Sequence, residues 1–495
     1  MTGSGGFGPV HTPPPEASRP AWPWALLAVV LVIVAGVAIW ALAGGGLPGT
    51  TPSPTPAAVV SPPPPSSPPP AVTPPTAAPT DAPPVSPGLS PPPTTPGSPT
   101  ARPGSPTARP GSPGAEVRAQ IDAIVAQVPE LRQLEPLREV PYEFVTREEF
   151  QVDLQDLIDE ETDPEELATE ERTLKRLGLL APEVDLREAI LELYGSQVAA
   201  FYRPDTGSFY IIGEPQTLTS FDQMVVAHEF THALQDHHFD LEGTRISDPS
   251  EGDAALAQTA AIEGDASLLM ILWGQANLTP QELMSIGNDI NPADLDLLER
   301  MPPILRRQLE FPYNDGLLFS LAVFAEGFSW AGIDETLGTP PASTEQILHP
   351  EKYFAGEAPV IVDLPDLSSA LGVGWQRNYT QTMGELNIQV WVGGGEEPID
   401  AIPGLPPEQP HADAAAGWGG DRLVMYEHAD DGWAIAWEIA WDTAADADDF
   451  LVRARELQDT LDGQAEIAQV EPQTVRITLA HDETTLAALA AAFGE

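Results

Sequence analysis

Apolar residues run without a charge from Ala21 to Ala43, lose all periodicity until residue 115, and then return with helical spacing. The first run, AWPWALLAVVLVIVAGVAIWALA, is long enough at 1.5 Å per residue to cross a hydrocarbon core of about 30 Å. Trp22, Trp24 and Trp40 fall near its ends, where interfacial aromatics gather. Arg19 precedes the run and no Lys or Arg follows until Arg102, which places residues 1–20 as a short cytoplasmic tail. A secretory signal peptide is the alternative, because Ala41-Leu42-Ala43 before Gly44 has the form of a cleavage site; the length of the run favours a retained transmembrane anchor over 21–43. Either way the remainder is exported. Residues 44–114 hold little besides Pro, Thr, Ser, Ala and Gly, with GSPTARP at 97–103 and again at 104–110. Such a segment buries no core and is expected to be a disordered, polyproline II-like stalk. At about 3.1 Å per residue it reaches on the order of 200 Å when extended.

Helical spacing resumes over Glu116–Leu134. Thr146-Arg147-Glu148-Glu149 and Thr162-Asp163-Pro164-Glu165 mark helix starts, the second with proline at the first helical position. A further helix covers Asp185–Tyr194. Residues 198–212 alternate and turn at Asp205-Thr206-Gly207, which predicts a β-hairpin. The next helix starts near Ser220, and helical segments continue to about Phe354. From about Leu364 the pattern changes to strands at 421–428 and 433–441, a helix at 443–462, a strand at 465–478 and a helix at 483–493. The expected fold class is α+β: a mainly helical domain with a small sheet over 115–363, and a ββαβα unit over 364–495.

Composition narrows the partners. Acidic residues outnumber basic ones 74 to 22, for a net charge of −52, so nucleic acid and anionic lipid headgroups are repelled. The same charge makes cationic substrates the better match. There are no cysteines, which removes disulfides and thiolate metal sites.

Candidate chemistry is concentrated at 228–238, where four of the nine histidines lie. Two of them form His228-Glu229-Phe230-Thr231-His232. On a helix, positions i and i+4 share a face, so both imidazoles can meet one ion. Two neutral ring nitrogens suit Zn²⁺, which acidifies a water, and Glu229 beside them is a general base for hydrolysis. By chance an H-E-x-x-H appears about once or twice in a hundred chains of this length, so its setting matters. Here an apolar Met224-Val225-Val226-Ala227 precedes it and an alternating strand pair lies just upstream.

The third ligand has several candidates. His238 has the metzincin ligand spacing, but Gln235 stands where metzincins place the glycine that breaks the helix, so a continuing helix carries His238 away. Glu263 and Asp265 sit among apolar residues in Ala260-AIEGDASLLM, and a divalent cation would offset their burial. Glu251 and Asp253, in an earlier Glu-Gly-Asp-Ala, more plausibly open that helix. H-E-x-x-H followed by E-G-x-A on the next helix resembles the gluzincin peptidases, the thermolysin-like enzymes and M1 aminopeptidases among them. The resemblance spans residues 228–270 and implies Glu263 as third ligand, Gly264 as a close helix contact and Asp265 as the group that orients a ligand histidine. The gap from His232 to Glu263 is longer than in the thermolysin-like enzymes, and neither the M1 G-A-M-E-N motif nor thermolysin's flanking signatures occur, so a separate branch is implied. The family also implies a Tyr or His that stabilises the oxyanion; Tyr313, His349 and Tyr353 are the candidates, and His349, a lone histidine in a proline-flanked loop, is taken as the catalytic one. Asp236 is a candidate acceptor for an imidazole N–H, and Tyr202 a candidate lining of the cleft beside an edge strand for an extended peptide. The expected function is a membrane-anchored, extracytoplasmic zinc peptidase. The alternatives are a surface-binding protein that keeps the fold and a zinc amidase acting on cell-wall material.

Overall fold

The computed structural model describes residues 27–30, 114–213, 215–246, 248–288, 292–396 and 409–494. Its elements begin where the capping residues place them. After β1 (Leu27–Val30) come α1 (Ala115–Arg132), β2 (Tyr142–Val145) and α2 (Arg147–Glu161), the last opened by a reciprocal Thr146–Glu149 capping box. Asp163 caps α3 (Pro164–Arg176), with Pro164 as first helical residue, and Asp185 caps α4 (Leu186–Gln197). The predicted hairpin is β3 (Val198–Arg203) and β4 (Ser208–Ile212). Then follow α5 (Ser220–Phe239), α6 (Gly252–Asn277), the short α7 (Pro280–Ser285) and α8 (Pro292–Arg300), and the long α9 (Pro303–Gly327). The helices α10 (Trp330–Gly338), α11 (Thr344–Leu348), α12 (Pro350–Ala355) and α13 (Ser368–Leu371) lead into the C-terminal sheet.

The first sheet has the order β1-β3-β4-β2, with β2 parallel to β4 and the other pairs antiparallel. Leu27–Val30, four residues of the run expected to be a transmembrane helix, stand as a strand on the edge of β3. An apolar run can satisfy its backbone as a helix in lipid or by pairing with an open strand edge in water, and β3 offers that edge. The rest of the predicted anchor, the 1–20 tail and the stalk to residue 113 lie outside the described residues.

The second sheet is antiparallel, in the order β5-β6-β7-β9-β8, formed by β5 (Trp375–Gln381), β6 (Trp418–His428), β7 (Trp433–Trp441), β8 (Gln464–Glu471) and β9 (Thr474–Ala480). Its helices are α14 (Gly384–Gly393), α15 (Ala444–Leu457) and α16 (Glu483–Ala492). The span 465–478, expected to be one strand, is therefore a hairpin: Pro472 has no N–H for the ladder and ends β8. The unit also begins earlier than ββαβα allows, with β5 and α14 ahead of it. β5 is a polar edge strand, WQRNYTQ, without the alternation that identifies a half-buried one. This sheet does not keep its core to itself. Phe150 and Leu154 of α2, Leu174 of α3 and Ile190 of α4 join one apolar cluster with Trp418, Trp437, Phe450 and Ile477.

Two helices carry the motif residues. In α5 every side chain from Met224 to His237 is buried, so the histidine-rich segment is no solvated face. α6 is apolar all round, and 94% of its most hydrophobic window is packed inside the protein, as a core helix requires. It meets α9 at a contact only glycines permit. A Cβ on Gly264 would lie 2.1 Å from the Gly316 carbonyl oxygen, and one on Gly316 would lie 2.2 Å from that of Ala260. The close helix approach expected of Gly264 is thus made to α9, one residue from Glu263.

Candidate metal centre

A Thr219–Asp222 capping box starts α5, and the helix runs unbroken through Gln235 to Phe239, where Asp240 closes it in the left-handed conformation. His228 and His232 accordingly stand one turn apart on one face, with ring centroids 4.7 Å apart and planes at 81°. From α6, Glu263 brings Oε2 to 3.0 Å from His228 Nε2 and 3.4 Å from His232 Nε2. A tetrahedral zinc ion with donors at about 2.0–2.1 Å holds those donors roughly 3.3–3.4 Å apart, so two imidazoles and one carboxylate at these separations fit it. His228, His232 and Glu263 are all buried, and His232 Nε2 has no hydrogen-bond partner.

The electrostatics also favour a cation. Burial alone would raise the Glu263 carboxyl, but the imidazoles, His232 foremost, hold it down at about 2. Burial pushes the His232 imidazole down, and the Glu263 carboxylate more than reverses this, lifting it to about 9. Burial lowers His228. The site thus favours one positive charge against Glu263; a proton supplies it in the metal-free chain, and a divalent ion supplies it more fully.

Gln235 decides which nitrogen of His232 faces that charge. Its Nε2 donates to the Ile262 carbonyl at 2.9 Å and to Asp265 Oδ2 at 2.7 Å. Both partners are pure acceptors, so the amide oxygen must face His232, whose Nδ1 lies 2.8 Å away. Nδ1 therefore carries the proton of the neutral ring, and Nε2 is the nitrogen whose lone pair a metal would take in exchange for the second proton. Asp265 is anchored in turn by Arg132, whose Nε and Nη2 donate to it at 2.8 and 3.1 Å, while Nη2 also reaches Asp334 at 2.7 Å. Arg132 and Asp265 are fully buried, and the guanidinium lies over Trp330 at 4.6 Å. Asp265, expected to orient a ligand histidine, meets His232 through Gln235, a residue noted in the sequence only for not being glycine. The available signal was position: i+3 from His232 shares its face. Gln235→Leu keeps the bulk and removes both ends of this relay. Zinc affinity, measured by competition with a chromophoric chelator, is expected to fall about 10- to 100-fold.

The remaining candidates divide. Glu229 is buried on the turn that carries the two histidines. Tyr313 of α9 has its ring 6.3 Å from that of His228. Tyr194 of α4, which no sequence signal singled out, is half-buried; burial of its phenol and the charge of Glu263 both raise it. His349 begins α12, and its Nε2 donates to Glu385 of α14 at 3.0 Å, a bond that raises the imidazole. A proline-flanked lone histidine is also what a short helix start bound to a buried carboxylate looks like, and that is the contact His349 makes. Tyr353 donates to the Thr339 carbonyl at 3.1 Å and packs on Phe319. His238 is exposed and donates to the Glu135 carbonyl at 2.8 Å, away from the triad. Asp236 accepts from Tyr202 at 2.8 Å and Arg138 at 2.6 Å instead of from an imidazole, and this also fixes Tyr202. Glu251 pairs with Arg422, and Asp253 accepts from the Thr344 hydroxyl at 2.6 Å. A second carboxylate cluster, Glu345, Glu357 and Asp442, is already filled by the Lys352 ammonium, which donates to all three.

A family model described as a domain of unknown function, DUF8575, matches residues 372–492, which is the C-terminal sheet with its helices and leaves the triad outside. No curated protein and no solved structure matches the chain.

Proposed function

We propose that the chain is a zinc-dependent peptidase of gluzincin type. The observation that carries this reading is the convergence of His228, His232 and Glu263, with ligand atoms all within 4.8 Å of one another, on the two helices that also bury Glu229. Bound zinc supplies Lewis acidity toward a scissile carbonyl and toward water. Glu229 takes the proton of the attacking water on a carboxylate oxygen and passes it to the leaving amine. The Tyr313 hydroxyl, on the ring beside His228, is the donor to the developing oxyanion, in place of His349. Gln235, Asp265 and Arg132 hold His232 in the tautomer that binds metal. A binding protein that kept the fold would have no use for a carboxylate buried at the position of Glu229. The uncharged run at 21–43 supports an exported enzyme, tethered to a membrane where that run leaves the edge of β3 for the bilayer.

Metal removal tests the reading. Full-length chain purified without chelator should hydrolyse an unfolded protein such as casein. Dialysis against 1,10-phenanthroline should abolish hydrolysis, and one equivalent of Zn²⁺ should restore it. Hydrolysis that survives complete removal of metal would rule the proposal out.

A further inference from the structure

A cavity of about 110 Å³ lies between α3, α4, the first turns of α6, α9 and β5. Tyr194, the phenol within reach of Glu263, forms part of its wall. Leu256 forms another part; it precedes Glu263 by seven residues on α6, so the two share a face about 10.5 Å apart along the axis. That offset suits a substrate side chain one or two residues from the bond cut, since an extended peptide advances about 3.3 Å per residue and a long side chain adds its own reach.

The wall has a definite chemistry. Its charged side chains among the described residues are Glu166, Glu170 and Asp248, with no Lys or Arg. Leucines supply an apolar floor. Thr162, only 7% exposed, also lines the cavity, and its hydroxyl has no hydrogen-bond partner. A buried hydroxyl without a partner is costly unless a ligand or water completes it. Burial, then Asp163 and Asp248, raise the Glu166 carboxyl, and a cation beside it would offset both effects. A long aliphatic stem ending in a cation matches each feature: leucines for the stem, carboxylates for the head, Thr162 as an extra acceptor.

We infer that this cavity receives a lysine or arginine side chain of the peptide substrate and sets where the chain cuts. The inference rests on the peptidase reading, and two measurements on the full-length, zinc-loaded protein separate their fates. In the first, Glu229→Gln chain is titrated by calorimetry with N-acetylarginine amide and with its uncharged isostere N-acetylcitrulline amide. The arginine compound should bind at least fivefold more tightly, and adding Glu166→Gln and Glu170→Gln should erase the difference; equal binding in the parent overturns the inference. In the second, the unmutated chain digests a peptide library and the cuts are mapped by mass spectrometry. Lys and Arg should be enriched at least fivefold at one fixed position from the cut, and Glu166→Gln/Glu170→Gln should lose the enrichment while keeping its zinc. Cleavage with no basic preference overturns the pocket assignment and leaves the peptidase reading standing. No cleavage at all, with the arginine preference in binding intact, overturns the peptidase reading and the substrate role while leaving a cation site.

Discussion

Glu229→Gln should leave one zinc bound per chain and lower turnover by about a hundred- to ten-thousandfold, the usual weight of a general base. The two side chains have the same length and shape, so the buried turn of α5 need not repack. The amide cannot take up a proton at neutral pH, and that is the difference the substitution isolates. Zinc content and melting temperature of the metal-free chain serve as controls, because a variant that lost turnover through unfolding would change both. A variant that stays within tenfold of wild type would show that Glu229 does not move the proton.

Glu263→Ala is the second large effect, and it acts on the metal. The carboxylate is 1% exposed and its Oε2 lies 3.0 Å and 3.4 Å from the two imidazole Nε2 atoms. Removing it would take away one of the three proposed ligands and the negative charge that favours a cation in a buried site. Orienting groups one step further out are worth 10- to 100-fold in affinity, so loss of the ligand itself should cost on the order of a thousandfold or more. His238→Ala is the matched control. That imidazole is exposed and bound to the Glu135 carbonyl, so its removal should leave zinc affinity unchanged. Loss of zinc from His238→Ala but not from Glu263→Ala would require α5 to break at Gln235 and would replace the assignment with a metzincin-like one.

Legibility in the sequence followed how local each feature is. Helix starts were legible because caps act over three residues: Thr146 with Glu149, and Asp163 before Pro164, are found where their side chains bond. The hairpin at 198–212 was legible through its period and turn. The mixed α+β class followed from these elements, but β5 and α14 did not, because a polar edge strand and a helix buried on all sides carry neither period. At the candidate metal centre, His228 and His232 lie four residues apart, and their shared face is a property of one helix. Glu263 is 31 residues beyond His232, and its place depends on how α6 packs; the resemblance, and not periodicity, pointed to it. Gln235 escaped because its function needs Ile262 and Asp265 from the other helix. His349 and Tyr313 show the same limit. Both are isolated polar residues near prolines, and only the packing of α9 brings Tyr313 beside His228, while α14 takes His349.

The most direct test of the central claim is X-ray absorption at the zinc K edge on the full-length chain loaded with one equivalent of Zn²⁺. The account predicts a four-coordinate site with two imidazole nitrogens and the remaining donors oxygen, at about 2.0–2.1 Å. Glu263→Ala should fail to give that spectrum and His238→Ala should give it unchanged. A spectrum fitted by three imidazoles, or a chain that takes up no zinc, would contradict the account.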